Sequence, residues 1–343
     1  MRILVSGGLG FIGSALIRLL ITNTEHKVLN IDKETYAAMP EALAEIETHR
    51  NYSFEKIDII SDESLKKIFA IFKPDAVMHL AAESHVDRSI EDPREFINTN
   101  IVGTYNLLVA SKNFWESSPA GKRFLHVSTD EVYGSLNFQD EPFTEENKYY
   151  PNSPYAATKA SADLLVRAWV KTYGFPAVVT NCSNNYGPWQ YPEKYVPVII
   201  RSAIQEKEIP VYGSGDNIRD WLYVDDHVEA LLKIVEADLE YTTFNIGANQ
   251  EISNLKLAEL ICSILDSVNP RKDSISYKTQ INFVRDRLGH DLRYAINSEK
   301  LKNEMGISMA SDLRKGITKT VNWYLENRNW LFSKQNSEFP SKS

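Results

Sequence analysis

Short β-branched runs alternate with amphipathic stretches through the first half of the chain. Residues 3–5, 28–31, 76–81, 124–127 and 177–180 read as strands, each a brief apolar run bounded by polar or turn residues. Residues 11–20, 65–72, 97–110 and 156–170 carry apolar positions at helical spacing. Strand and helix in strict alternation predict an α/β fold with a doubly wound parallel sheet. After Asn181 the rhythm breaks, with Pro188, Pro192, Pro197 and Pro210 crowding a stretch that also holds Trp189, Tyr191 and Tyr195. We read residues 1–181 as the first domain and 182–332 mainly as a smaller C-terminal α/β lobe whose chain has room to cross back to the first sheet. In that lobe helical patterns fall near 196–204, 228–235, 255–265 and 313–325, and short strands at 211–212, 244–245 and 282–284. Residues 333–343 form a polar tail.

Composition narrows the partners. The 343 residues are 43% hydrophobic and 24% charged, which places the chain in the globular class. Acidic residues outnumber basic ones 46 to 38, for a net charge of −8, so a nucleic acid or an anionic membrane is a poor partner for this surface. An anionic small molecule needs only a few local Arg and Lys. Cys182 and Cys262 stand too far apart in sequence for a CxxC redox pair, and two cysteines cannot make a Cys-based zinc site, so no metal is expected. They read as thiols in a reducing compartment. The N-terminus enters an apolar strand at once and no long apolar span follows, so the expectation is a soluble cytoplasmic protein.

Gly7, Gly10 and Gly13 follow the first strand directly and, with Phe11 and Ile12, open an amphipathic helix. Missing side chains there allow a tight turn and close approach to a pyrophosphate, which the free N–H groups of a helix start then stabilise. Glycine spacing alone is weak, but the second strand ends at Asp32, 19 residues after Gly13. A carboxylate at that point accepts hydrogen bonds from an adenosine ribose and repels a 2′-phosphate, so NAD is expected over NADP in a Rossmann-type domain. Asp58 and Ile59 after the third strand, and Leu80, Ala81 and Ala82 after the fourth, fall at carboxyl ends of parallel strands, where adenine and nicotinamide ribose would lie. His79 lies inside its strand and reads as a core histidine.

Tyr155 and Lys159 open another helix, with Ser153 as N-cap and Pro154 at the first helical position. Four-residue spacing sets phenol and ammonium on one face. A free tyrosine titrates near ~10, but a neighbouring ammonium and a positively charged nicotinamide both favour phenolate, which can take a hydroxyl proton while hydride leaves the same carbon. Thr129 ends the strand 26 residues earlier, and Ser/Thr, Tyr and Lys in this order form the catalytic set of the short-chain dehydrogenases. Asp130 and Glu131 follow Thr129 directly. Strict strand geometry sends such neighbours to opposite faces, so for both to serve one substrate the backbone must turn there. Two acids at one site suit an elimination, one carboxylate removing a proton next to a ketone while a carboxylic acid protonates the departing hydroxyl.

These motifs resemble those of the dTDP-glucose 4,6-dehydratases, within the extended short-chain dehydrogenase/reductases, over nearly the whole chain. The landmarks are GGLGFIG at 7–13, DKETYA at 32–37, LAAESHVDRSI at 80–90, STDEVYG at 128–134, YAATK at 155–159, SNNYGPWQYPEK at 183–194, IRDWLYVDDH at 218–227 and DRLGHD at 286–291. The resemblance implies that Tyr155 takes the C4 hydroxyl proton while NAD accepts hydride, Glu131 removes the C5 proton, Asp130 protonates the C6 hydroxyl, and hydride returns to C6. It implies further cofactor contacts at Lys33, Thr35, Ser84, Thr99 and Asn185. Nucleotide-sugar contacts are implied at Ser84, Thr129, Asn184, Lys194, Tyr195, Arg219, Asn254 and His290, with Pro210, Val211, Tyr212 and Asp286 beside them. It also implies a homodimer built through four helices. Two positions depart from the expected pattern: Leu288 stands where a proline is expected, and Lys33-Glu34 is unusual before Thr35.

Competing readings remain at this stage. A 4,6-dehydratase of another nucleotide hexose such as UDP-glucose shares every motif, and a 4-epimerase or a UDP-glucuronate decarboxylase shares the oxidation step. An epimerase has no use for the acid pair after Thr129, and no added basic motif near Thr129 serves a sugar carboxylate. A non-catalytic NAD sensor on the same fold is the remaining class.

Overall fold

Alternation along β1 (Arg2–Ser6) sets the layers of the molecule. Ile3 and Val5 pack on one side of the sheet with Leu16 and Leu20 of the helix Phe11–Asn23, while Leu4 packs on the other with Phe69, Leu107 and Val166. Each fully buried aliphatic side chain contributes about 1.5–3 kcal/mol, so a strand that is apolar on both faces is stable only between two helical layers. The computed structural model describes residues 1–116, 118, 120–287 and 289–334.

The remaining strands are β2 (Lys27–Asp32), β3 (Tyr52–Lys56), β4 (Ala76–His79), β5 (Arg123–Thr129), β6 (Ala177–Cys182), β7 (Asn184–Tyr186), β8 (Ile209–Tyr212), β9 (Ile218–Tyr223), β10 (Thr243–Ile246), β11 (Glu251–Ser253) and β12 (Ile281–Val284). Seven form one sheet in the order β10-β6-β5-β4-β1-β2-β3, and every pairing in it is parallel. The chain runs outward from β1 to β3 and then outward again from β4, so the carboxyl ends of β1 and β4 flank the switch point where such sheets bind ligands.

Two elements of the second half return to this sheet. β10 pairs with β6, and the helix Val224–Glu236 packs Val228 and Leu231 onto the layer that covers Ile3 and Val5. The patterns at 228–235 and 244–245 therefore belong to the first domain and not to the lobe. The lobe proper holds β7, β9 and β11 in one small sheet and β8 with β12 in another, around a core of Ile199, Ile200, Leu257, Ile261 and Val321. Among the described residues no helix is long and apolar enough to cross a membrane. Of the polar tail, Ser333 ends the helix Arg328–Ser333, and 335–343 lie outside the described residues.

Candidate active site

Local sequence explains why β5 stops where chemistry begins. Thr129 is its last residue, and its Oγ1 accepts from the Glu131 N–H at 3.3 Å, closing a 3₁₀ turn over Asp130–Tyr133. Gly134 ends the turn at φ +94°, and a Cβ there would lie 2.5 Å from the Tyr150 carbonyl oxygen, so only glycine fits. The backbone turn required for Asp130 and Glu131 to share a site is thus present. Both line one cavity together with Thr129, Tyr155 and Lys159.

The helix Pro154–Tyr173 brings the other two groups. Ser153 caps it through the Ala156 N–H at 3.1 Å, a bond that contributes about 1 kcal/mol in such positions. The Tyr155 N–H donates to Ser89 Oγ at 3.2 Å, and Lys159 Nζ donates to the Val127 carbonyl at 2.9 Å. Four residues on, Asp163 accepts from Ser128 Oγ at 2.8 Å behind the site; burial lowers the Lys159 ammonium below its ordinary value, and Asp163 partly opposes that. His79 is the expected core histidine, its ring nitrogens 2.8 Å from Ser6 Oγ and 2.9 Å from Thr104 Oγ1.

Electrostatics divide the two acids. Burial raises the Asp130 carboxyl well above its ordinary value, and the Glu131 and Asp220 carboxylates add to the effect. Glu131 is also raised by burial, but Arg219, Lys194 and Arg287 oppose the rise. Of the two, Asp130 is raised further and holds its proton the more readily. Asp130 Oδ1 accepts from Thr129 Oγ1 at 3.3 Å, while Oδ2 is buried without a hydrogen-bond partner among the described residues. Burial, and then the Glu131 carboxylate, push the Tyr155 phenol well above its ordinary value.

Every residue expected from the sequence to touch the cofactor lines the same cavity. Gly7 has φ +78°, and a Cβ there would come within 2.5 Å of the Ala81 nitrogen, so strand and turn meet backbone to backbone. No side chain caps the helix Phe11–Asn23, and its N-cap Gly10 is extended, which leaves the helix start facing the cavity to receive an anion. Asp32 is held by the Leu9 N–H at 3.1 Å and the Glu34 N–H at 2.8 Å. Lys33 Nζ donates to Thr99 Oγ1 at 2.9 Å and pairs with Glu83 at 3.2 Å, which accounts for the unusual lysine by a local bond. A backbone cradle at a helix start, with a carboxylate at the end of β2, fits a dinucleotide such as NAD.

A second cavity adjoins the first, and Ser84, Glu131, Asn184 and Lys194 line both. Tyr195, Tyr212, Arg219, Asn254 and His290 line it as expected. Arg219 is pre-set: its guanidinium donates to the Ile218 and Asp291 carbonyls at 2.7 and 2.9 Å and lies over the Tyr294 ring at 4.2 Å. Three expected contacts line neither cavity. Val211 is fully buried in the lobe core, because alternation along β8 turns it away from Tyr212. Pro210 sits one pair further back along the strand, and Asp286 instead lies 2.7 Å from His290 Nδ1, orienting that ring. Leu288 lies outside the described residues.

Sequence reasoning missed Arg287, Glu193 and Tyr294. Arg287 pairs with Asp87 at 2.6 Å across the cavity, joining lobe to domain. Glu193 accepts from Tyr36 Oη at 3.1 Å and lies 3.7 Å from His85 Nε2. Both stand inside quoted motifs, DRLGHD and SNNYGPWQYPEK, where a charged residue beside each assigned contact was the available signal. Tyr294 had none, since its use depends on folding beneath Arg219.

Comparison with known proteins matches this geometry. The family model described as GDP-mannose 4,6 dehydratase covers residues 4–320. A dTDP-glucose 4,6-dehydratase of Shigella flexneri is 50% identical over 353 residues, covering 99% of this chain and 97% of its own. Among solved structures, the dTDP-glucose 4,6-dehydratase DesIV of Streptomyces venezuelae, with NAD bound, is 38% identical with a TM-score of 0.87, covering 96% of this chain and 98% of its own. A UDP-glucose 4-epimerase of Thermotoga maritima, with UDP-glucose, is 29% identical with a TM-score of 0.85, covering 96% and 100%. The epimerase shows that the fold alone does not select the reaction. From the residues matched and the identity over nearly its full length, the chain belongs to this nucleotide-sugar dehydratase family.

Proposed function

We propose that the protein catalyses the NAD-dependent dehydration of dTDP-glucose to the 4-keto-6-deoxy sugar. The observation that carries the reading is the 3₁₀ turn after Thr129, which places in the cavity of Tyr155 two carboxyl groups, Asp130 strongly raised with Oδ2 unpartnered among the described residues and Glu131 faced by Arg219, Lys194 and Arg287. Relatives at about half identity that are named for this reaction favour it over the UDP-glucose alternative.

Gly7, Gly10, Asp32 and Thr99 would hold NAD along the first cavity, and Arg219 would pair with the diphosphate of the nucleotide sugar in the second. When bound, NAD supplies the hydride acceptor for C4 and the hydride donor for C6, and its nicotinamide charge opposes the burial that raises Tyr155. Tyr155 Oη takes the C4 hydroxyl proton, with Thr129 hydrogen-bonded to the phenol. The C4 ketone makes the C5 proton acidic, and Glu131 removes it. Asp130 gives its proton to the C6 hydroxyl, which leaves as water, and protonated Glu131 returns a proton to C5 as C6 accepts hydride. The balance is loss of one water with no external reductant.

The homodimer belongs to the same proposal. Ile97, Val102, Tyr105 and Leu164 are exposed on two adjacent helices that Tyr105 and Trp169 join edge to face at 5.8 Å, an apolar face suited to the same face of a second copy.

Incubating the purified protein, without added cofactor, with dTDP-glucose and UDP-glucose in D₂O tests the reading. A 4-keto-6-deoxy product carrying deuterium at C5, formed faster from dTDP-glucose, is expected by NMR. No product from dTDP-glucose, or product without deuterium at C5, would contradict it.

A further inference from the structure

The adenosine end of the cofactor cavity has two walls that are remote in sequence. One is the loop holding Gln190 and Tyr191, and the other is the segment with Ala37 and Ala38, next to Phe11 and beyond Asp32. Neither wall is a strand or a long helix, so something behind them must hold their spacing. The C-terminal helices Leu313–Glu326 and Arg328–Ser333 stand there.

Three contacts hold the first wall. Tyr324 Oη donates to the Gln190 carbonyl at 2.7 Å, and the Trp189 ring packs against Trp323 at 4.8 Å and Trp330 at 5.1 Å between centroids. Trp189 has φ +64°, a left-handed backbone that a bulky residue keeps only where its surroundings hold it. Trp330 also packs against the cluster of Met39, Ala42 and Tyr191, where residues of both walls meet and which Phe11, Ala37 and Trp189 border as well. Lys334 then pairs with Glu41 at 3.0 Å, one residue from Ala42. Trp330 thus sits where the two walls meet outside the cavity, and Lys334 ties the end of its helix to Glu41, while Leu331 beside it anchors the helix in the lobe core.

We infer that Trp330 is a positioning residue that wedges together the two walls at the adenosine end of the NAD groove and so sets how slowly the dinucleotide leaves. The inference rests on the NAD reading above. It bears on the chemistry because the hydride taken from C4 must return to C6 of the same sugar. A dinucleotide that left between those steps would strand an oxidised intermediate.

The test uses the full chain with its dinucleotide. NAD retained after gel filtration and the rate of NAD loss into excess competitor are measured for wild type, Trp330→Ala, Trp330→Phe and Trp189→Gly. At least tenfold faster loss is expected for Trp330→Ala, near wild-type loss for Trp330→Phe, and unchanged affinity for free dTDP by calorimetry, since Arg219 lies in the other cavity. Trp189→Gly relieves the backbone strain while deleting the ring, so it keeps the melting temperature of the dinucleotide-free protein yet loses NAD faster. Wild-type loss rates in folded Trp330→Ala or Trp189→Gly would overturn the inference, as would a parallel fall in dTDP affinity, which marks general loosening. A wild type that retains no NAD refutes the cofactor reading itself and this inference with it.

Discussion

The two cavities are built by different means. The one proposed for the cofactor is framed by backbone: a turn at Gly7, an uncapped helix start, and small residues at 81 and 82 where strands end. The second cavity is lined by side chains drawn from positions as distant as Ser84, Arg219 and His290, with the Arg219 charge buried. A backbone site fails when geometry is blocked. A side-chain site fails when one charge is removed, because its neighbours then change their own protonation.

Blocking geometry gives the largest effect on the first site. Gly7→Ala forces a Cβ to 2.5 Å from the Ala81 nitrogen at a positive φ, so the purified variant is expected to hold less than about a tenth of the wild-type NAD. Wild-type NAD content would show that the turn is not the cradle. Next comes Arg219→Met. Losing charge-assisted bonds worth about 1.5–3 kcal/mol predicts a 10- to 100-fold rise in KM for the nucleotide sugar. Arg219 also holds the Glu131 carboxyl down, so its removal raises that group further. With Glu131 as the proposed base, the acid limb of the rate profile is expected to move to higher pH, and an unmoved limb would break the assignment. The smallest effect on turnover is expected from Leu164→Arg, which charges the exposed apolar face. Light scattering should show monomers, and a dimer that persists would place the interface elsewhere.

The contrast also explains what was legible in the sequence. Cofactor contacts sit in contiguous motifs, and a backbone site leaves glycines and small residues at fixed spacing, so that cavity was readable from Gly7 through Asp32 and Asp58 to Ala82, with Thr35 and Thr99 added only through resemblance. The sugar cavity was readable only through resemblance. Val211 was misplaced because strand parity along β8 decides it, and Tyr294 was invisible because its role arises only when Arg219 folds over its ring. The return of β10 beside β6 depends on pairing partners 64 residues apart, as Thr243 and Val179 are, which no local pattern encodes. The rise of the Tyr155 phenol was not legible either, because the burial and the nearby Glu131 carboxylate that cause it arise only in the folded cavity.

The central claim is that Tyr155 serves the oxidation of C4 and Glu131 the proton at C5. Single-turnover mixing of Glu131→Gln and Tyr155→Phe holoenzymes with dTDP-glucose, followed by NADH absorbance and by C5 exchange in D₂O, tests it most directly. Glu131→Gln should form NADH that persists, with no deuterium entering C5 and overall turnover lower by about 10²–10⁴-fold; Tyr155→Phe should form almost no NADH. Exchange at C5 in Glu131→Gln equal to wild type, or prompt NADH in Tyr155→Phe, would contradict the division of labour.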